Sequence, residues 1–440
     1  MILIKNARLV DKNTDSKGAV LINGKKIIKI MSNAQAKELE KSSKKIEIFD
    51  AQGLILMPSF IDMHVHFRDP GLTQKEDIES GCMAAAAGGY GTVVCMPNTN
   101  PVISSQKMAE ENNAKAKNRG LCTIIQAVSI TKDFDGKTIS HLKELNQKIV
   151  PLITEDGHEV EDSAVMFKGM SIAAEKKIIV SCHCEDPFLA QAAKPLRKKA
   201  LDLMSSKNKE NKNQAVEYLK NANELLAMAE DTATYRNIRL AKTAACHLHL
   251  CHVSTKNCIE QIKLAKKTGQ NISCEITPHH IALNGSKSPE IFNIVNPPLR
   301  NEEDRLSLIK ALADGTADVI ATDHAPHTME DKAAGAPGFS GIETAFAVCN
   351  TNLVKTKIIN MKKLSSLMSA KPAELLGLKK CGLIKEGFDA DLVLVDSQKI
   401  WKVEGKNFKS KGKFTPLEGK KLTGKVTATF HQGKLVYQGE

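Results

Sequence analysis

Eight apolar runs, separated by helix-like stretches, constrain this chain more than any other feature. They are Leu54–His66, Thr92–Asn98, Cys122–Ile130, Ile149–Gly157, Lys177–Asp186, His247–Ser254, Asn271–His280 and Asp318–His327, and each ends in or runs directly into polar residues. A continuous apolar run marks a strand covered on both faces, as in a parallel sheet, and parallel strands need crossovers of helix size. Eight such units in succession predict an α/β fold, a (β/α)8 TIM-like barrel.

Both ends of the chain read differently. Ile2–Ile4, Ala19–Ile22, Lys26–Ile30 and Ile46–Phe49 look like short strands, with Asn23-Gly24 as a hairpin turn. Near the other end, Ala390–Asp396 is an apolar strand, and Val426–Phe430 and Lys434–Tyr437 flank a turn at His431-Gln432-Gly433. We expect one small β-sandwich domain built from residues 1–57 and 386–440, with the barrel spanning 58–385. The 440 residues suffice for both. Lys194–Lys220 is lysine-rich, with Ser205–Lys209 expected as an exposed loop.

The net charge is 62 − 50 = +12, but only eight of the basic residues are arginine and aromatic residues make up 4%. Nucleic-acid binding calls for clustered cations and aromatic platforms. Scattered lysines instead predict a solvated surface, with no nucleic-acid or membrane partner. The runs fall well short of the ~20 residues of a membrane span. The start, Met1-Ile-Leu-Ile-Lys-Asn, lacks a signal-peptide pattern, and the 11 cysteines form no CxxC pair. Reduced thiols in a cytoplasmic protein are expected.

Chemistry concentrates at the ends of the runs. Five end in candidate metal ligands: Asp62-Met-His64-Val-His66, Glu155-Asp156, Cys182-His183-Cys184-Glu185-Asp186, Cys251-His252 and Thr322-Asp323-His324. A barrel gathers the C-terminal ends of its strands at one mouth. His64 and His66 are two apart and share a strand face, so both can grip one ion. His183, His252 and Asp323 would join them. By the same alternation, Cys182, Cys184 and Cys251 should point outward as small buried thiols.

The stretch Phe60-Ile-Asp-Met-His-Val-His-Phe-Arg-Asp-Pro-Gly71 resembles the start of an amidohydrolase barrel in its dihydroorotase form. Met96-Pro-Asn-Thr99, His183–Asp186, Cys251–Thr255, Thr277–His280, Asn296-Pro-Pro-Leu-Arg300 and Thr322-Asp-His-Ala-Pro-His327 resemble the later blocks of that family, in order, and Gly387–Val393 a segment common to the superfamily. The resemblance implies a hydrolase of pyrimidine biosynthesis, a metal-dependent cyclic amidase that interconverts N-carbamoyl-L-aspartate and L-dihydroorotate. It implies one or two zinc ions, the first on His64, His66 and Asp323 and the second on His183 and His252. The bridging place, a carboxylated lysine in many relatives, falls here on Asp156. Lys168, fifteen residues before His183, reads as crossover helix instead. The ions would activate a water and polarise the ring carbonyl, and Asp323 would be the catalytic proton shuttle. Arg68, Asn98, Asn296 and His327 match substrate-binding positions.

Two departures stand out. The loop before Gly341 reads Ala336-Pro-Gly-Phe-Ser340, shortened and reordered, which leaves Pro337 and Gly338 as the expected substrate contacts. Ahead of the sixth run, Ala229-Glu230 lacks the usual preceding proline, which should alter only a surface helix. Competing readings are an allantoinase or hydantoinase, and a non-catalytic dihydroorotase-like subunit scaffolding aspartate transcarbamoylase. For assembly, the resemblance leaves open a homo-oligomer and association with that transcarbamoylase.

Overall fold

A computed structural model describes residues 1–43, 45–204, 208–285 and 294–439. The two chain ends share one eight-stranded sheet. It contains β1 (Ile2–Val10), β2 (Asp15–Asn23), β3 (Lys26–Met31), β4 (Glu47–Asp50) and β5 (Ile55–Pro58), joined from the far end of the chain by β15 (Leu392–Lys402), β16 (Lys421–His431) and β17 (Lys434–Gln438). The order is β17-β16-β15-β5-β1-β2-β3, with β4 on β1. The sheet curls back on itself, because β3 bridges Asp389 through Lys26. Ile4, Val20 and Ile27 thereby share one core with Leu392, Leu394 and Phe430. The packing is that of a sandwich, and the hydrogen bonding that of one rolled sheet. Both turns fall where Asn23-Gly24 and Gln432-Gly433 place them.

The barrel strands are β6 (Phe60–Val65), β7 (Tyr90–Cys95), β8 (Thr123–Gln126) continuing into β9 (Val128–Ser129), β10 (Leu152–Thr154), β11 (Ile179–Cys182), β12 (Leu248–Leu250), β13 (Ile272–Ile276) and β14 (Val319–Ile320). All pair in parallel. The run from Leu54 is two strands. It breaks at Ser59, so β5 joins the small sheet while β6 opens the barrel.

Helices α2 (Ile78–Gly88), α3 (Gln106–Arg119), α4 (Ser163–Lys176), α5 (Pro187–Met204), α6 (Lys209–Ala244), α7 (Lys256–Lys267), α8 (Pro278–Ala282) and α9 (Glu302–Asp314) make the crossovers; α1 (Asn33–Ser42) belongs to the small sheet. One crossover departs from the expected pattern. Between β9 and β10 the chain forms only short turns of 3-10 helix. The lysine-rich segment is a helical hairpin of α5 and α6, with Asn208 capping α6. Residues 205–207 of the expected loop lie outside the described residues. No described helix is long and apolar enough to cross a membrane.

The barrel closes between its first and last strands. Val65 bridges His324, and the His66 N–H donates to the His324 carbonyl at 2.8 Å. Asp62, fully buried, accepts from the Thr322 hydroxyl at 2.6 Å, the Thr322 N–H at 3.0 Å and the His64 N–H at 3.2 Å. Asp62→Ala strands these buried donors. It should cost roughly 2–4 kcal/mol of stability, read by urea denaturation of the metal-free protein.

Candidate metal centre

The mouth of the barrel brings the six expected ligands together. His64 Nε2 lies 3.2 Å from Asp156 Oδ1 and 3.7 Å from Asp323 Oδ1; His66 Nε2 lies 3.5 Å from Asp156 Oδ2 and 3.1 Å from Asp323 Oδ1. His183 Nδ1 is 2.8 Å from His252 Nε2 and 3.8 Å from Asp156 Oδ1. Asp156 thus stands between the His64/His66 pair and His183. Donor atoms of His64, Asp156 and His252, and of His64, His66 and Asp323, lie within 4.8 Å of one another.

A metal ion fits this set. His64 Nε2, Asp156 Oδ1 and His252 Nδ1 are closed off from solvent and make no hydrogen bond. A buried polar atom left this way is costly unless something else engages it. Acceptors also sit on the ring nitrogens that face away from the cluster: His64 Nδ1 is 2.7 Å from Glu275, His66 Nδ1 is 2.9 Å from the Asn98 oxygen, and His183 Nε2 is 3.7 Å from Glu185. Such outer partners fix each tautomer and leave a bare nitrogen for the ion.

The electrostatics place positive charge in the cluster: burial lowers the His64 and His183 pKa values, but Asp156 and Glu275 raise His64 well above its usual value and Glu185 raises His183 to about 9, a charge that a bound cation would replace. Burial pushes the Asp156 pKa up, but the His64 and His66 charges pull it well below the usual carboxylate range. For Asp323, burial is likewise outweighed, by the His66 hydrogen bond and the charges of His64 and His66, so it too is held ionised. Burial, reinforced by the His183 and His64 charges, lowers His252 to about 3 and keeps it neutral, the form that ligates.

Backbone strain marks the same place. His252 and Asp323 have φ of 30° and 48°, and Arg68 has 60°. Each costs on the order of 1–3 kcal/mol for a residue other than glycine. The turn at His252 also corrects the alternation argument for one thiol. Cys182 and Cys184 do pack outward in the apolar layer. Cys251, however, lies inside, 2.9 Å from Ser181 and beside His64 and Glu275. The chain swings round after it, and this lets His252 face inward as well.

Of the neighbouring carboxylates, Glu155 turns away to Thr131, where burial raises its pKa to about 7. Lys168 is exposed on α4. Asn98 stands among the candidate ligands. It donates to Asp156 at 3.0 Å while holding His66. Asn296 is engaged by Arg197 and Glu185. His327 Nε2 lies 2.8 Å from the Pro337 carbonyl and 3.3 Å from Arg68 Nη2. Gly338 has φ of 113°, and a side chain there would strike Ala325. Its loop is clamped by Lys332, fully buried, whose ammonium donates to the Ala336 and Gly338 carbonyls at 2.7 and 2.8 Å. Gly71 is equally obligatory, since a Cβ would sit 1.8 Å from the Asn100 carbonyl oxygen. That contact explains the glycine of the Arg68-Asp-Pro-Gly71 turn.

Sequence reasoning missed Glu275. It is buried on β13, accepts the His252 N–H at 3.0 Å, and joins His64 to His249. A carboxylate in the middle of the apolar run Ser273-Cys-Glu-Ile276 was the available signal.

The sequence pattern of the Amidohydrolase family matches residues 55–436. The dihydroorotase of Clostridium botulinum is 42% identical over 439 residues, with 99% of each chain covered. The dihydroorotase of Sulfurihydrogenibium sp. is 39% identical over the full length of both chains, and that of Aquifex aeolicus 37% identical over 99% of each. In fold, the chain resembles the L-hydantoinase (dihydropyrimidinase) of Arthrobacter aurescens, with a TM-score of 0.86 at 24% identity over 100% of this chain and 96% of that one. This chain therefore belongs to the amidohydrolase family and, within it, to the dihydroorotases.

Glu275→Gln removes the charge that orients His64. Metal affinity should fall ~10–100-fold, measured by competition with a chromogenic chelator.

Proposed function

We propose that this chain interconverts L-dihydroorotate and N-carbamoyl-L-aspartate, with zinc as the resident ion. The observation that carries the reading is a cation without a partner. Arg68 forms no ion pair among the described residues, its Nε is enclosed and unpaired, and its Nη2 reaches only the His327 ring. Burial lowers its pKa, and Asp323 and Asp156 oppose that loss of charge. A half-buried guanidinium beside a metal-ligand cluster suits a substrate carboxylate, which it can grip with two donors. Hydantoin has no carboxylate to offer it.

The imidazole and carboxylate donors suit zinc, which when bound polarises the carbonyl and makes water a better nucleophile. The chain's own residues do the rest. Arg68 anchors the carboxylate and sets the ring amide over Asp156 and Asp323. In hydrolysis, the water oxygen bonds to the ring carbonyl carbon. Asp323 takes the water proton and delivers it to the ring nitrogen as the amide C–N bond breaks. In cyclisation it returns that proton to the departing oxygen. The enclosed position of the cluster limits competing water. The barrel, residues 58–385, supplies these groups, and the domain built from 1–57 and 386–440 supplies none.

The deciding experiment follows loss of the ring-amide absorbance of L-dihydroorotate, with hydantoin and allantoin as controls. Turnover of dihydroorotate alone is expected; preference for a control would overturn the reading. Asp323→Ala should lower kcat by at least ~10²–10⁴. Arg68→Met should raise KM for both substrates at unchanged metal content, seen in steady-state kinetics beside elemental analysis. Asp156→Ala should lose activity where Lys168→Ala does not, and added bicarbonate should leave the wild-type rate unchanged.

A further inference from the structure

Helix α5 lies outside the barrel wall, yet one of its side chains reaches back to the mouth. Arg197 donates from Nη1 to the Asn296 side-chain oxygen at 3.1 Å, and its Nη2 lies 3.5 Å from the Val295 carbonyl. Its Nε is enclosed and makes no hydrogen bond. Asn296 in turn donates from Nδ2 to Glu185 Oε2 at 2.6 Å. That carboxylate oxygen lies 3.7 Å from His183 Nε2. On the far side of the same ring, Nδ1 faces His252. A continuous polar line therefore runs from α5 to the His183/His252 pair.

The chemistry of the line gives it one direction. A guanidinium can only donate and a carboxylate can only accept. The amide between them has a single satisfactory orientation, oxygen towards Arg197 and nitrogen towards Glu185. Glu185 is thereby held 3.7 Å from His183 Nε2, where its charge favours a proton on that nitrogen. The tautomer left has its bare nitrogen, Nδ1, on the side of Asp156 and His252. Packing supports the placement, because Leu201, one turn along α5, closes against Gly335, where an added Cβ would come within 2.8 Å of it. The helix is therefore seated on the loop that carries Pro337.

We propose that Arg197 is a positioning residue. Through Asn296 and Glu185 it sets the orientation of His183, and it presents the Asn296 amide with its donor side inward. The substrate part of this inference rests on the dihydroorotase reading; the metal part does not.

The test uses the full-length protein loaded with zinc or cobalt, and three variants: Arg197→Met, Arg197→Lys and Asn296→Ala, which cuts the same line one residue nearer the site. Lys198→Met, on the exposed side of α5, is the control. Thermal unfolding by circular dichroism establishes which variants are folded. Chelator competition should show the weaker-bound ion released at least ~10-fold more readily in Arg197→Met and Asn296→Ala, in the range of outer-sphere substitutions. Arg197→Lys restores one donor and should recover part of this. The cobalt absorption spectrum should change in Arg197→Met and not in Lys198→Met. KM for dihydroorotate should rise more than kcat falls. Arg197→Met that is folded, binds both ions as the wild type does and keeps its cobalt spectrum would overturn the inference. If Arg197→Met fails to fold, unaltered ion release and spectrum in Asn296→Ala would overturn it equally. Wild-type protein that binds ions but leaves dihydroorotate untouched would refute the proposed function, while the metal measurements would still decide the role of Arg197.

Discussion

Closure of the barrel between β6 and β14 is the constraint on which the rest depends. These strands are separated by about 260 residues of chain, yet each carries part of one ligand set: His64 and His66 at the end of the first, Asp323 at the end of the last. The Asp62–Thr322 contacts and the Val65–His324 bridge set their register to the residue. A slip of one residue would turn every side chain on β6 to the other face. His64 and His66 would then point into the helical layer. The cost of burying Asp62, whose pKa burial raises to about 7, is offset by a local hydrogen bond from the His64 N–H and by two from Thr322 that only the closed barrel provides.

Around that closure the protein concentrates charge where water is scarce. Three of the buried ligands lean on an outer partner: His64 on Glu275, His66 on Asn98, His183 on Glu185. Taking such charges out of water is costly, and pairing makes it bearable only where the geometry is good. The same logic makes the unpaired Arg68 informative. A half-buried cation held without a carboxylate is poised for one that arrives with the substrate. Left-handed φ values at Arg68, His252 and Asp323 are the conformational cost of aiming side chains from the extreme ends of strands.

Much of this was legible in the sequence. Apolar runs announce buried parallel strands because nothing polar can face either layer, and a polar residue at the end of such a run must lie at a rim. Histidines and carboxylates at several rims are therefore meant to meet. Alternation failed at Cys251, because a left-handed residue follows it and no local pattern announces a φ of 30° at a histidine. Glu275 escapes a reading based on strand ends, because this carboxylate acts from within a strand. Arg197 was invisible for a different reason. It is 99 residues from Asn296 in sequence, in a lysine-rich segment whose composition describes its solvent side only. The break at Ser59, which parts one apolar run between two sheets, reflects tertiary packing that no periodicity records.

These strand ends should form a metal centre in which Asp156 takes the bridging place. Anomalous diffraction from crystals grown with zinc tests it most directly. Zinc density is expected between His64, His66 and Asp323 and at the His183/His252 pair, with Asp156 in contact with both and no modified lysine nearby. Zinc bound elsewhere, or a carboxylated lysine standing where Asp156 is placed, would contradict it.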